Sequence, residues 1–406
     1  MPWQEQSVMM LREEFVRMAL TAGSNKRELC RRYEISAQTA YKWLGRFCAD
    51  GRAGLGDRSR RPATSPSRTP EAVEAEVLRI RAASNNAWGG RKIQAAMRRL
   101  GQVEVPAAST ITAILRRHDK LAANAAEHPG PFVRFERAQP NELWQMDFKG
   151  HFAIAVGRCH PLTVLDDHSR FSLTLAACAE EQDATVRAQL MPTFRRYGLP
   201  EAMLMDGRAP WGDAGDQPHT RFTVWLMRLG IRVIHGRPYH PQTQGKEERF
   251  HRTLKAEVLN GRSFSNLAHC QRAFNAWRPV YNFERPHEAI GFAVPAERYR
   301  PSPHPFPETL PPIEYDCGDI VRKVQDGGFI SFKNRAIRLC KAFRGQPVAV
   351  RPTGEDGVFS VHFCAHTIAT LDLRQPRPTA RGFVDNADAL PTTPQAPQQH
   401  TMKKCN

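Results

Sequence analysis

Between residues 7 and 50, apolar side chains return every three or four positions: Met9-Met10-Leu11, Phe15 and Met18-Ala19, then Leu29 and Cys30, then Ala40, Leu44 and Phe47. A period near 3.6 predicts three short helices. Gly23-Ser24 separates the first two, and Glu34-Ile35-Ser36 the second and third. The same period resumes at about 70, with Val73, Val77 and Ile80, a break at Trp88-Gly89-Gly90, and helices Arg91 to Leu100 and Ser109 to His118. Thr69-Pro70 offers an N-cap followed by Pro at the first helical position. From 141 the pattern changes to strand-like runs at 143–149, 161–167 and 170–177, with hairpin-sized gaps at Gly150 and Asp167-His168-Ser169. Helix 183–197, strand 202–206, helix 219–229, strand 231–235 and helix 243–260 follow. Three strands and then alternating helix and strand predict a mixed five-stranded sheet with helices on its faces, an α/β layer architecture. Asp319-Ile320-Val321, Phe329 to Phe332, Ala336 to Leu339, Val348 to Val350 and Phe359 to Val361 are short strands between turns, and they predict a small β-barrel.

A chain of 406 residues exceeds one ordinary core, so several domains are expected. Their bounds are a helix-turn-helix domain at 1–50, a basic Gly/Arg/Ser/Pro linker at 51–69, a second helix-turn-helix domain at 70–120, and an α/β core with a polar, aromatic C-terminal extension at 141–300. The barrel occupies 313–374, and a Pro-, Thr-, Gln- and Asn-rich tail at 376–406 is expected to be disordered. The linker could lie along a phosphate backbone or serve only as a tether.

Net charge changes the picture. At +17 the chain favours a polyanionic partner, because each Lys or Arg that neutralises a phosphate releases a counterion. The third helix leaves Gln38, Thr39, Tyr41, Lys42 and Arg46 outward, as a recognition helix entering the major groove would. An ordinary three-helix bundle with a charged face is the alternative. In the second unit Arg91 and Lys92 are the corresponding DNA-binding candidates, with a dimerisation bundle as the alternative. Nine cysteines are scattered without a Cys-x-x-Cys pair, which argues against a zinc finger or disulfide framework and fits reduced thiols in a cytosol. No apolar run reaches transmembrane length and no secretory h-region opens the chain, so a soluble protein with no membrane partner is expected.

Three carboxylates carry the candidate chemistry. Asp147 closes Leu143-Trp144-Gln145-Met146, Asp206 closes Ala202-Met203-Leu204-Met205, and Glu248 opens a helix in Gly245-Lys246-Glu247-Glu248-Arg249-Phe250. Convergent acids repel one another unless a cation lies between them. Hard oxygen donors suit Mg²⁺ or Mn²⁺, and two such ions can flank a phosphodiester under in-line attack. Asp147 would bridge the ions, with Asp206 and Glu248 each holding one. Glu248 is chosen over Glu247 because on a helix it shares a face with Arg252 and Lys255, whereas Glu247 lines up with Phe250, His251 and Leu254 toward the packed side. Arg249, Arg252 and Lys255 are the phosphate contacts expected beside the site. Asp167-His168-Ser169-Arg170 is read as an Asp-capped turn, with Asp166 near the site, His240 as a loop histidine, and Asp213 and Asp216 as loop residues.

Trp144-Gln145-Met146-Asp147, Val164 to Arg170, Pro238-Tyr239-His240-Pro241-Gln242-Thr243-Gln244-Gly245-Lys246-Glu247-Glu248-Arg249-Phe250-His251 and Tyr281-Asn282-Phe283-Glu284-Arg285-Pro286-His287 resemble the DDE transposases of bacterial insertion sequences, in the retroviral-integrase superfamily. The order of elements from 141 is that of ribonuclease-H-like nucleases. The resemblance runs to about residue 300 and again selects Glu248, three residues after the Gly. It implies binding of terminal inverted repeats in double-stranded DNA and Mg²⁺-dependent cleavage at element ends. Attack of the freed 3′-OH on target DNA would follow, by a homodimer or higher oligomer in the bacterial cytoplasm, nucleoid-associated when bound. Two departures stand out: Gly207 where Asn is commoner, and 42 positions from Asp206 to Glu248 (248 − 206), the surplus falling in the loop 211–218. Two other functions stay open: a catalytically silent DNA-binding regulator descended from a transposase, and a stand-alone nuclease of ribonuclease-H type.

Overall fold

The computed structural model describes residues 7–58, 68–121, 136–207, 210–211, 219–236 and 245–374. The expectations for the rest of the linker, for Asp213 and Asp216, for His240-Pro241-Gln242 and for the tail lie outside the described residues. The chain divides into two compact units, Met1–Arg68 and Thr69–Asn406.

The first unit holds α1 (Val8–Leu20), α2 (Lys26–Arg32) and α3 (Ala37–Asp50), capped by Ser7, Asn25 and Ser36, whose side chains accept from first-turn amides. Phe15, Val16, Ala19, Ala40 and Leu44 form its core as the periodicity required. Trp43 joins them, 6% exposed, under the cations of Arg12, Lys42 and Arg46 at 4.0, 4.5 and 5.2 Å. The expected linker starts later than residue 51, because a 3-10 turn over Gly51–Leu55 buries Leu55 in this core.

In the second unit α4 (Glu71–Ala83), α5 (Gly90–Arg99) and α6 (Ala108–Arg117) pack around Val77, Ile80, Trp88, Ile93, Ile111 and Leu115. Gly90 is obligatory at the crossing: a Cβ there would lie 2.4 Å from both the Ala108 carbonyl and the Thr112 hydroxyl.

The central sheet contains β1 (Trp144–Phe148), β2 (Phe152–Ala153), β3 (Arg158–Asp166), β4 (Ser172–Cys178), β5 (Ala202–Met205) and β6 (Arg232–His235). Its order is β2-β3-β1-β5-β6 with β4 on β3. β1 is antiparallel to β3 and parallel to β5, so the sheet is mixed, and the two-residue β2 adds a strand to the five expected. α7 (Asp183–Tyr197) and α8 (Arg221–Arg228) supply the crossovers and pack on the face of Trp144, Met146 and Phe148. α9 (Gly245–Leu254) and α10 (Leu267–Pro279) cover the opposite face through Leu165, Leu175, Phe250, Leu254 and Phe274. A short α11 (Pro295–Arg298) closes the extension.

The C-terminal strands are β7 (Ile320–Lys323), β8 (Phe329–Phe332), β9 (Arg335–Arg338), β10 (Pro347–Pro352), β11 (Val358–Phe363) and β12 (His366–Asp372). Instead of the expected closed barrel they form an open sheet, β12-β11-β10-β7, and a separate β8–β9 hairpin. The reason lies in the packing. Phe343, Val348, Val350 and Phe363 continue the cluster beneath α7 and α8, so this apolar face is buried against the core domain and has no need to close on itself. Among the described residues no helix is long and apolar enough to cross a membrane.

Phe194 on α7 is fully buried and stacks on Trp144 at 5.9 Å, so it joins helix to sheet. Phe194→Ala should cost about 3–5 kcal/mol, read by urea denaturation. A loss under about 1 kcal/mol would mean that α7 does not hold this face.

Candidate active site

Strand alternation puts Gln145 and Asp147 on the face opposite Trp144, Met146 and Phe148. The parallel register pairs Gln145 with Leu204. Two residues further, both strands reach an aspartate, so Asp147 and Asp206 come abreast on the α9 face, on strands about 4.8 Å apart. Burial pushes the Asp147 carboxyl up to about 7, the Asp206 carboxylate pushes the same way, and the Phe148 N–H partly offsets them. Among the described residues no Lys or Arg side chain is bonded to either aspartate. Among the described residues the one basic side chain within 4.0 Å of Asp147 is His251, which burial and Lys149 drive down to about 3 and so keep neutral. Crowded oxygen donors without a counter-charge fit a hard divalent cation.

α9 lays its first turn over this pair. Glu247 faces inward and is fully buried; its Oε2 accepts from the Thr163 hydroxyl at 2.8 Å. Thr163 is cross-strand to Asp147 and lies 2.9 Å from the Asp147 carbonyl and from His251 Nε2. Burial, and then the Asp147 carboxylate, hold the Glu247 carboxyl well above the ordinary range. Glu248 points to solvent with its side chain 69% exposed, 3.3 Å from Arg252 one turn on. The structure therefore brings Asp147 to Asp206 and Glu247 to Asp147, and leaves the Glu248 carboxylate outside. Among the described residues no three His, Cys, Asp or Glu side chains form a ready metal cluster.

The Asp166-Asp167 turn is structural, as expected, but Asp166 is its cap. Its carboxylate accepts from the amides of Asn141 and Ser169 at 2.7 and 2.8 Å and from the Ser169 hydroxyl at 2.6 Å. Asp167, also buried, accepts from Gln145 Nε2 at 2.6 Å and the Arg137 amide at 2.8 Å, and it pairs with the Lys246 ammonium. Sequence reasoning missed Lys246. One lysine in a run of charged residues carries no mark of burial, yet here it ties the start of α9 to the β3–β4 turn and, through Gln145, to the strand of Asp147.

The DNA-binding candidates divide. Gln38, Tyr41 and Lys42 are exposed on α3; Thr39 is half-buried with its hydroxyl 2.9 Å from the Ser36 cap, and Arg46 is half-buried over Trp43. Arg249, Arg252 and Lys255 line the exposed side of α9 and the turn after it. Arg91 and Lys92 face the core domain instead. Arg91 pairs with Glu288 and lies 5.1 Å over Phe292, while Lys92 is half-buried, its ammonium lowered to about 8 by burial and Arg285. A cavity of about 1120 Å³ lined by Arg187, Arg221, Arg228, Lys323 and Arg344 lies on the α7–α8 side of the sheet, away from Asp147.

The integrase core domain family matches residues 137–241 and 229–295. The C-terminal domain of IS481 family transposases matches 319–379, a helix-turn-helix domain 11–63, and a homeodomain-like domain 39–115. An uncharacterised 31.7 kDa protein of insertion element IS407 from Burkholderia multivorans is 29% identical over 172 residues, covering 41% of this chain and 60% of that protein. An uncharacterised 39.2 kDa protein of insertion element IS476 from Xanthomonas euvesicatoria is 29% identical over 160 residues, covering 39% and 44%. The match spans less than two thirds of either relative. The solved HTLV-2 integrase catalytic core domain in complex with magnesium aligns with 40% of this chain and 99% of that one, at 15% identity and a TM-score of 0.30.

Since folding raises the Asp147 carboxyl from its ordinary 3.8 to about 7, ionising it in the folded state lowers stability. The penalty is absent below about pH 4, grows as pH rises, and levels off above 7. Asp147→Asn should therefore be more stable than the parent at pH 8 in EDTA and equal to it at pH 3.5, by chemical denaturation. A variant less stable at pH 8 would show that the carboxylate is favourably paired.

Proposed function

We propose that this chain, which belongs with the DDE transposases of the retroviral-integrase superfamily, binds the ends of an insertion element, cuts the DNA there and joins the 3′-OH to target DNA. The observation that carries this reading is the pair Asp147 and Asp206, abreast on parallel strands and short of positive charge. Two helix-turn-helix units and the net charge of +17 support DNA as the partner.

Asp147, Asp206 and Glu248 would hold divalent metal, Mg²⁺ or Mn²⁺, two ions on our reading. When bound, such ions activate the attacking oxygen and neutralise charge on the leaving one. The chain's own part is to position the DNA. Arg249, Arg252 and Lys255 present cations to the phosphates flanking the scissile bond. His251, kept neutral, and Thr163 brace the Asp147 strand without competing for its charge.

Energetics select the third carboxylate. An exposed i,i+4 ion pair is worth about 0.3–0.5 kcal/mol, so Glu248 leaves Arg252 at almost no cost. Glu247 is fully buried and hydrogen-bonded, and extracting it would open the α9–sheet contact. Its closeness to Asp147 nonetheless favours a second reading in which Glu247 is the third ligand. Assembly of two DNA ends calls for at least a dimer, working in the bacterial cytoplasm on nucleoid DNA.

Joining of a labelled duplex carrying the element end, with Mg²⁺, Mn²⁺ or EDTA, tests the proposal. Joining should require metal and fall about a hundredfold or more in Asp147→Asn, Asp206→Asn and Glu248→Gln, with end binding retained. Glu247→Gln should keep most of it. Loss in Glu247→Gln with Glu248→Gln active would transfer the role. Binding without nicking under any metal would leave a DNA-binding regulator.

A further inference from the structure

α9 runs without a break into a π-helical turn, Lys255–Leu259, and that turn carries a second buried acid, Glu257, 5% exposed. Three donors converge on its carboxylate. Trp277 Nε1 from α10 reaches Oε2 at 2.9 Å, and Arg285 Nε, from the segment after α10, reaches Oε1 at 2.8 Å. The third is Trp88 Nε1, at 3.0 Å from Oε1, and Trp88 belongs to the break between α4 and α5 in the second helical unit. A buried carboxylate is costly unless it is paired and hydrogen-bonded. Here one guanidinium supplies the charge, and two indoles, which can only donate, fill the other sites.

The same break grips the helix backbone. Asn85, in the left-handed region at φ 51°, donates to the Ala256 carbonyl at 3.1 Å and the Asn260 carbonyl at 3.3 Å, on either side of Glu257. Val280 adds an apolar contact to the α4–α6 cluster. At the rim Arg91 pairs with Glu288 and Arg99 with Glu297. Such exposed pairs are worth little in energy and serve mainly to orient. The α4–α6 unit is thus fastened, through a desolvated contact, to the helix that carries Glu248 in its first turn. Nine residues of helix separate Glu248 from Glu257, about 13 Å.

We infer that the Trp88–Glu257 junction is a ruler: it fixes the interval between DNA that the α4–α6 helices would hold, on a face other than that of Arg91 and Lys92, and the phosphodiester cut beside Asp147 and Asp206. The homeodomain-like match covers these helices as far as residue 115. Trp88, Asn85 and Glu257 are positioning residues and touch no reacting atom. The inference rests on the DNA-cutting role proposed above. It gives Trp88 a duty that ordinary core packing would not, because the indole N–H crosses from the α4–α6 helices to the end of α9 within the same compact unit.

The test uses the full chain with Trp88→Phe, which keeps an aromatic ring and removes the indole N–H, and Asn85→Ala, which removes the two hydrogen bonds to the helix carbonyls. Removing a hydrogen bond to a charged group raises the undocked fraction about tenfold or more. Cut positions on an end-labelled duplex are mapped at nucleotide resolution, alongside end affinity and melting temperature. The wild type should cut one bond; the variants should bind the end equally well and spread their cuts over neighbouring bonds. Variants that cut only the wild-type bond, at whatever rate, overturn the ruler. Hydrogen–deuterium exchange keeps the inference testable if the wild type cuts nothing, an outcome that defeats the proposed function and not the junction. Amides of residues 84–90 and 254–260 should exchange faster in both variants, and unchanged exchange in both segments overturns the inference.

Discussion

Everything proposed for this chain depends on one register: β1 lies parallel to β5 with Gln145 opposite Leu204. Side chains alternate faces along a strand, so this register decides that Asp147, near the end of β1, and Asp206, just past β5, come side by side and toward α9. A slip of one residue would turn one aspartate toward Phe194 and the apolar layer under α7. The apolar positions enforce the register from both sides. Trp144, Met146, Met203 and Met205 lock one face, while Leu143, Ala202, Leu204 and Ile234 form a small cluster on the other.

From that constraint follows the odd chemistry around the site. Burial raises the Asp147 carboxyl and the Asp206 carboxylate adds to it; burial likewise raises Glu247, with Asp147 beside it, and keeps His251 neutral. Folding thus leaves desolvated, mutually repelling oxygen donors at one spot, which a divalent cation would relieve. The surroundings are built to hold this spot still. Asp167 ties Gln145 on the Asp147 strand to Lys246 at the start of α9, and Glu257 ties the far end of the same helix to α10 and to the α4–α6 unit. One helix therefore joins the Asp147 strand, the α10 layer and the α4–α6 helices.

The sequence revealed the layers and the polarity of the site because those follow from short-range periodicity. The strand ending at Asp206, the helix from Asp183 to Tyr197 and the inward face of Glu247 were all legible as spacing. What was not legible depends on contacts between distant segments. The open C-terminal sheet could not be told from a barrel, since strands of this length fit either, and only the α8 contact decides. Arg91 and Lys92 look like solvent-facing cations until their neighbours about two hundred positions away come into view: Glu288, which pairs with Arg91, and Arg285, which repels the buried Lys92 ammonium. The cap of the β3–β4 turn fell one residue from where it was expected, at Asp166, because both aspartates fit a turn and their distant partners distinguish them: the Asn141 amide at Asp166, and Gln145, the Arg137 amide and Lys246 at Asp167.

The central claim is that Asp147 and Asp206 form a metal site, and Mn²⁺ binding followed by electron paramagnetic resonance on the full chain tests it most directly. The account predicts that wild type sequesters Mn²⁺, that Mg²⁺ competes it off, and that Asp147→Asn and Asp206→Asn each abolish binding. Equal Mn²⁺ affinity in wild type and both variants would contradict it.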